Sequence, residues 1–242
     1  MSYGIISVKS GSTRLPGKCF FDFGEGNVLQ HVIRRAKHFG FTPIVATTDL
    51  SEDDRVEWFS LAEDVLVHRG KKGQKLQQWH DICQKHGLTE FVTLDCDDLY
   101  FDPDLALQAL DMIYQDWYDI IYPPKNAYAG SFSFAMTADI VKKACTLIGN
   151  DYTEMQWHFI EKVEGVRKTP LPVELGNPDI RLTLDYPEDY WLLDFVRREV
   201  GHFATRAEIE GLFSCNPDLY KINFFRNEQM LDGQGDGGTR LL

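Results

Sequence analysis

Short apolar, β-branched runs alternate along the first half of the chain with longer stretches whose apolar residues recur every three or four positions. The run from Tyr3 to Val8 predicts a buried strand that ends in a polar loop. Val28, Leu29, Val32, Ile33 and Ala36 then share one helical face, with Arg34, Arg35 and Lys37 opposite. Asn27 is the expected N-cap of that helix and Gly40 its stop. Pro43 to Thr48 predicts a second buried strand, and Ser51 with Asp54 a capping box that opens a second helix. Val65 to Val67 predicts a short third strand, and Gln74 to Lys85 a helix closed by Gly87. Glu90 to Asp95 is the next strand, and Asp102 followed by Pro103 starts a helix that runs to about Gln115.

Beyond that point the alternation is less regular. Strands are expected over 118–122 and 131–136, with the polar, aromatic loop 123–130 between them. Helices are expected from Thr137 to Ile148 and from Thr153 to Glu161, then a late strand over 181–184. A helix from Pro187 to Val200 and a shorter one capped by Thr205 and Glu208 complete the pattern. The expected fold is α/β, a mostly parallel central sheet with helices on both faces and a small antiparallel addition. Residues 1–230 read as a single domain and the Gly-rich segment 231–242 as a flexible C-terminal tail.

Composition narrows the partners. With 43% hydrophobic residues among 242, the chain has ample material for a core. Its 25 basic against 37 acidic residues give a net charge of −12, which argues against nucleic acid as a partner but leaves room for a nucleotide on a local basic loop. The five cysteines, Cys19, Cys83, Cys96, Cys145 and Cys215, are odd in number and scattered, so neither a disulfide framework nor a zinc knuckle follows. No apolar run reaches membrane length and the N-terminus has no signal-like segment, so the cytoplasm is the expected location.

The loop after the first strand concentrates the chemistry. From Lys9 to Lys18 it holds three cations, hydroxyl side chains and two glycines. Backbone N–H groups exposed in such a loop can turn toward a phosphate. Arg14 adds a planar fork for phosphate oxygens and Lys18 a mobile point charge. A P-loop is excluded by spacing: five residues separate Gly11 from Gly17, and Cys19 follows Lys18 where a hydroxyl residue would be needed. Three predicted strands end directly in Asp49, Asp95 and Asp185, at the sheet edge where open α/β folds gather ligands. The run Asp95-Cys96-Asp97-Asp98 offers carboxylates two residues apart that suit Mg²⁺ or Mn²⁺, although Asp is also a common turn and cap residue. Likewise the run from Asp185 to Asp189 reads locally as a helix start, which accounts for Glu188 and Asp189 better than for Asp185.

Taken together, these segments resemble the cytidylyltransferase family that activates sugars for cell-surface polysaccharides, most closely its spore-coat branch near the Kdo and acylneuraminate cytidylyltransferases. Gly11-Ser-Thr-Arg-Leu-Pro-Gly-Lys18 is similar to the family's nucleotide-binding signature. Leu182-Thr-Leu-Asp-Tyr-Pro-Glu-Asp189 resembles its late motif, whose first Asp is a metal ligand, and Thr93-Leu-Asp-Cys-Asp97 stands where its other metal-binding Asp lies. The ending from Asn216 to Asn223 agrees as well. Two positions depart from the pattern: Lys9 stands where the family usually has Arg, and the Gly-Asp-x-Pro motif is replaced by Leu94-Asp-Cys-Asp-Asp98.

The resemblance implies a Rossmann-like fold of the nucleotide-diphospho-sugar transferase type, usually dimeric, that moves CMP from CTP to a small sugar or polyol acceptor and releases pyrophosphate. It implies Arg14, Lys18 and Asp185 as catalytic residues. Lys9, Ser10, Gly11, Ser12, Arg14, Lys18 and Asp95 would bind nucleotide, and Asp95, Asp97 and Asp185 would hold the metal, with Asp95 and Asp97 both open as its middle ligand. The acceptor is expected over the second half, where Lys125, Asn126, Tyr128, Glu154 and His158 are the polar candidates. Two other readings stay open: a GT-A glycosyltransferase, which would release a nucleoside diphosphate, and a nucleotide-binding module without turnover.

Overall fold

The computed structural model describes residues 1–148, 157–175 and 179–227. Its strands are β1 (Ser2–Ser7), β2 (Phe41–Thr48), β3 (Leu66–Gly70), β4 (Glu90–Thr93), β5 (Ile120–Tyr122), β6 (Ala135–Thr137) and β7 (Lys168–Pro170). They form one sheet in the order β3-β2-β1-β4-β6-β5-β7. β1 pairs in parallel with β2 and β4, placing Ile5 beside Ile44 and Gly4 beside Val92, and β2 pairs in parallel with β3. β6 runs antiparallel to both β4 and β5, which realises the expected antiparallel addition as an insertion within the sheet. β7 is parallel to β5 at the sheet edge. The sequence pattern did not predict β7, because an edge strand reading Lys-Thr-Pro carries no apolar run.

The helices are α1 (Val28–His38), α2 (Asp54–Ala62), α3 (Lys75–His86), α4 (Pro103–Asp116), α5 (Ala138–Ile148), α6 (Trp157–Ile160), α7 (Pro187–Val200) and α8 (Arg206–Cys215). Successive strand residues point to opposite sheet faces, so the sheet feeds two cores. Ile6, Val45 and Val92 pack with apolar residues of α1, α4 and α7. Ile5, Ile44 and Phe91 pack with Leu76, Trp79 and Ile82 of α3 and with Ile140, Val141 and Ala144 of α5. Each of the Val, Leu, Ile and Phe side chains among them contributes about 1.5–3 kcal/mol on burial, which is why the β-branched runs form interior strands.

Several helix ends follow the local chemistry. The Asn27 side chain accepts the N–H of Gln30 at 2.9 Å while the Gln30 side chain accepts that of Asn27 at 3.2 Å. Asp102 accepts the N–H groups of Asp104 and Leu105, ahead of Pro103 at the first helical position. Thr205 and Glu208 close the same kind of box on α8, and Gly87, at φ 67°, ends α3.

Five expectations need correction or restriction. The Ser51 box does not form: residues Ser51–Asp53 make a 3-10 turn, and α2 begins at Asp54 without a side-chain cap. The segment 181–184 joins its neighbours through isolated bridges, Asp98 with Thr183 and Ala129 with Arg181, not as a strand. The proposed start of α6 at Thr153 and the tail 231–242 lie outside the described residues. Arg35, assigned to the solvent face, is fully buried. Its guanidinium donates to Phe101 O and Ala204 O at 2.9 Å each and to His202 O at 3.3 Å, tying α1 to two remote turns. Burial pushes its pKa down to about 10, and the carbonyls still satisfy a charged group there. Among the described residues no helix is long and apolar enough to cross a membrane.

Two predictions follow from this framework. Gly130 sits at φ 86°, where a Cβ would meet Leu182 C and Thr183 N at 2.6 Å each. Gly130→Ala is therefore expected to lower stability by at least about 1–3 kcal/mol, read as a drop in the urea midpoint; an unchanged midpoint would contradict the close approach. His31 is the second case. Its Nε2 donates to Leu99 O at 2.9 Å, so its Nδ1 is the acceptor for His202 Nδ1–H at 3.3 Å, and the ring is neutral.

Burial pushes the His31 pKa down to about 3 from 6.5. The unfolded chain thus takes up this proton first, and the stability contribution is lost progressively as pH falls below 6.5. The loss is at most about 1.4 kcal/mol per unit and levels off near the folded pKa. His31→Gln, which keeps hydrogen-bonding capacity but does not titrate, should flatten the decline in urea stability between pH 7 and 5. Equal slopes in the two proteins would show that His31 does not carry it.

Candidate active site

Strand order places the site. β2 and β3 lie to one side of β1 and β4 to the other, so the chain reverses its direction of winding at the carboxyl end of β1. A cavity of about 630 Å³ opens there, a volume in the usual range for small-molecule sites. Its walls come from the ends of β1 (Ser7, Val8, Lys9) and β2 (Ala46, Thr48), from the start of α3 (Lys75, Gln78), and from Asp95 to Asp97 after β4. Ser12, Thr13, Arg14 and Lys18 of the cationic loop and Tyr186 at the entry to α7 complete it.

The loop keeps its shape through an anchor that local reading missed. Asp53 Oδ1 accepts both the N–H of Ser10 at 2.7 Å and its hydroxyl at 2.6 Å, while the Thr48 hydroxyl donates to Asp53 Oδ2. Ser10 O in turn accepts the N–H groups of Ser12 and Gly17 at 2.9 and 3.0 Å. Gly17, at φ 69°, turns the chain into the 3-10 turn Lys18–Phe20. Ser10 is thus engaged by Asp53, and Gly11 lies against Glu52, where a Cβ would stand 3.2 Å from Oε1. Ser12 and Lys9 line the cavity.

Lys18 is where three distant parts of the chain meet. Its Nζ donates to Asp97 Oδ2 at 2.7 Å, to Asp185 Oδ1 at 2.9 Å and to Leu184 O at 2.6 Å. Arg14 Nη2 reaches the same Asp185 oxygen at 2.8 Å and stays 42% exposed, so one face of the guanidinium is open to a ligand. Burial works against the charge on Lys18, but Asp97 and Asp185 more than offset it and hold the pKa above its ordinary value. Lys18 therefore stays an ammonium and acts as a fixed positive charge, not as a base. Burial likewise opposes the Asp97 carboxylate, and the neighbouring Lys18 outweighs it, keeping the Asp97 pKa below its usual range. Asp98 behaves in the opposite way: burial, and then Asp97 and Asp95, push its pKa well above that range.

The predicted carboxylates separate into groups. Asp97 and Asp185 share one cation, whereas Asp95 pairs with Lys75 Nζ at 2.8 Å. Asp49 is exposed, and its N–H donates to Gly70 O. Among the described residues no three His, Cys, Asp or Glu side chains cluster as a metal site. The donor chemistry nonetheless suits a hard divalent cation: Asp97 Oδ2, Asp185 Oδ1 and Leu184 O converge on one point, and that point already accommodates the positive charge of Lys18.

Of the acceptor candidates, Lys125 and Asn126 are exposed and Tyr128 is buried in the core. His158 lies on α6, and Glu154 is outside the described residues. Sequence reasoning passed over Lys75, Arg181 and Asp189. Lys75 was hidden as an ordinary first-turn residue; the other two had local explanations as strand and helix-cap residues.

A family model described as cytidylyltransferase matches residues 3–118. Spore coat polysaccharide biosynthesis protein SpsF of Bacillus subtilis (strain 168) is 23% identical over 227 residues, covering 88% of this chain and 94% of that protein. In fold, the chain is similar to a cytidylyltransferase from Leptospira borgpetersenii, with a TM-score of 0.81 at 22% identity over 90% of this chain and 95% of the other. It is also similar to CMP:2-keto-3-deoxy-manno-octonic acid synthetase complexed with CTP, with a TM-score of 0.57 at 15% identity over 82% of this chain and 99% of the other. By the family model over residues 3–118, and by a relative aligned along most of its length, the chain is similar to the cytidylyltransferases, a family of nucleotidyltransferases.

Proposed function

We propose that this protein transfers CMP from CTP to a sugar, sugar-acid or polyol-phosphate acceptor, with release of pyrophosphate, in cell-surface polysaccharide biosynthesis. The observation that carries the reading is the meeting of Lys18 with Asp97 and Asp185, 79 and 167 positions away in sequence, beside a cavity at the switch point of the sheet. Similarity to a spore coat polysaccharide biosynthesis protein and to a synthetase complexed with CTP supports the nucleotide and the pathway class. The working form in this reading is a cytoplasmic homodimer.

In the reaction, an acceptor oxygen bonds to the α-phosphorus of CTP as the bond from that phosphorus to the bridging oxygen of the leaving group breaks, and pyrophosphate departs in line. Arg14 and Lys18 would neutralise charge gathering on the departing pyrophosphate, with Lys9 close by along the same wall. Asp185 with Asp97 would hold Mg²⁺ or Mn²⁺, and Asp95 would join them if Lys75 turned to a phosphate. Such a cation, when bound, withdraws charge from the α- and β-phosphate oxygens. The cavity walls orient the triphosphate, which lowers the barrier by positioning.

A pyrophosphate-release screen of CTP against nonulosonic acids, polyol phosphates and sugar phosphates tests the proposal. Release with CTP and one such acceptor, together with Mg²⁺-dependent thermal protection by CTP above that by ATP, GTP or UTP, is expected. Equal protection by all four nucleotides, or release of a nucleoside diphosphate from an activated sugar, would overturn it.

A further inference from the structure

Arg181 is completely buried, behind the carboxylate that faces Lys18. Its Nε donates to Asp189 Oδ1 at 2.9 Å, and its Nη2 donates to Asp189 Oδ2 at 3.1 Å and to Asp185 Oδ2 at 3.3 Å. Asp189, equally buried, uses Oδ2 to accept the main-chain N–H groups of Asp185 at 2.8 Å and Tyr186 at 2.9 Å. Asp185 is therefore gripped twice, by its backbone and by Oδ2, while Oδ1 faces Arg14 and Lys18.

The grip is closed by the C-terminal segment. Asn223 Nδ2 donates to Asp189 Oδ1 at 2.9 Å and to Arg181 O at 3.1 Å, and Arg181 Nη1 donates to Asn227 Oδ1 at 3.1 Å. Arg226 pairs with Glu188 at 2.9 Å and lies over the ring of Tyr186, 4.4 Å from its centroid, and Tyr186 forms part of the cavity wall.

A buried ion pair is a poor device for stability alone, because desolvation cancels most of its attraction and apolar packing would serve as well. What this one supplies is direction. Burial opposes the Arg181 charge, but Asp189 and Asp185 outweigh it, so the guanidinium remains a cation that fixes which oxygen of Asp185 turns to the cavity. We propose that Arg181, held by Asp189 and Asn223, is a positioning residue for Asp185. The segment 219–227 is thus part of the active site's support, although it supplies no residue to the cavity wall. The inference rests on the CTP- and metal-binding reading given above.

The test uses the full chain with CTP at saturation and Mn²⁺ as the metal probe, titrated by the electron paramagnetic resonance signal of free Mn²⁺. Arg181→Lys should weaken Mn²⁺ binding about 10–100-fold, the usual effect of losing a group that orients a ligand, with CTP affinity in the absence of metal changed less than about 3-fold. In an Asp185→Asn background the same substitution should cost almost nothing more, because a residue that acts through Asp185 has nothing left to position. Asn223→Ala, a milder change, should weaken Mn²⁺ binding in the same direction with a cooperative melt, and it carries the test if Arg181→Lys fails to fold. Unchanged Mn²⁺ affinity in the folded variants, or a loss that multiplies in full on that of Asp185→Asn, would overturn the assignment. Failure of the wild-type protein itself to bind CTP and Mn²⁺ would instead overturn the functional reading beneath it.

Discussion

Asp185→Asn is expected to slow pyrophosphate release by about 10²–10³-fold, on the scale of losing one preorganised charge partner at a reacting phosphate. Asn preserves shape but removes the charge that gathers Lys18, Arg14 and Arg181 around one side chain that is only 4% exposed. The stability cost should be smaller in consequence, about 1–3 kcal/mol, since Arg181 keeps its bidentate pairing with Asp189. Unfolding should remain cooperative in thermal melts. The two readouts separate the explanations: a near-normal rate removes Asp185 from the chemistry, and a rate loss that follows the unfolded fraction assigns it to the fold alone.

Lys18→Ala should have a rate effect of similar size, about 10²–10³-fold, for a different reason. The ammonium joins two carboxylates and a carbonyl, so its loss both removes a cation from the triphosphate and leaves Asp97 and Asp185 facing each other without it. The pH dependence gives a second readout. Lys18 is what outweighs burial in holding the Asp97 pKa low, so the stabilising contribution of ionised Asp97 is present at neutral pH and is lost as pH falls through that lowered value. Without Lys18 burial prevails, so ionised Asp97 becomes a penalty at neutral pH that protonation relieves, visible as a lower stability at pH 7 that declines less steeply on acidification than in the wild type. Lys18→Arg is expected not to restore the rate, because a planar guanidinium does not fit a site shaped for a compact ammonium that is 13% exposed. Recovery by Arg would show that charge alone suffices.

How much of this was legible in the sequence depended on whether a residue's partners were near it along the chain. Asn27, Asp102 with Pro103, and the helix from Pro187 to Val200 lie where caps and apolar spacing put them, because those interactions close within a few residues. Arg35 did not, since helical periodicity counts any Arg as solvent-facing and its carbonyl partners come from Phe101, His202 and Ala204. Asp53 was obscured in the same way, because Ser10, which it anchors, lies 43 residues earlier.

The site shows both outcomes. The cationic loop and the late Asp were readable because three cations in ten residues and an Asp closing an apolar run stand out along the chain itself. Arg14, Lys18, Asp97 and Asp185 do come together. Asp95 engages Lys75, a pairing that no spacing rule announces because α3 belongs to a different crossover. Arg181 and Asp189 read as ordinary strand and cap residues, and only their packing behind Asp185 gives them a further role.

The most direct test is a crystal structure of the protein grown with CTP and Mg²⁺. Density for the triphosphate is expected in the cavity between the loop 9–18 and Asp185, with the Lys18 ammonium on a phosphate oxygen and the metal on Asp185. Triphosphate density elsewhere on the molecule, with Lys18 and Asp185 still paired to each other, would contradict it.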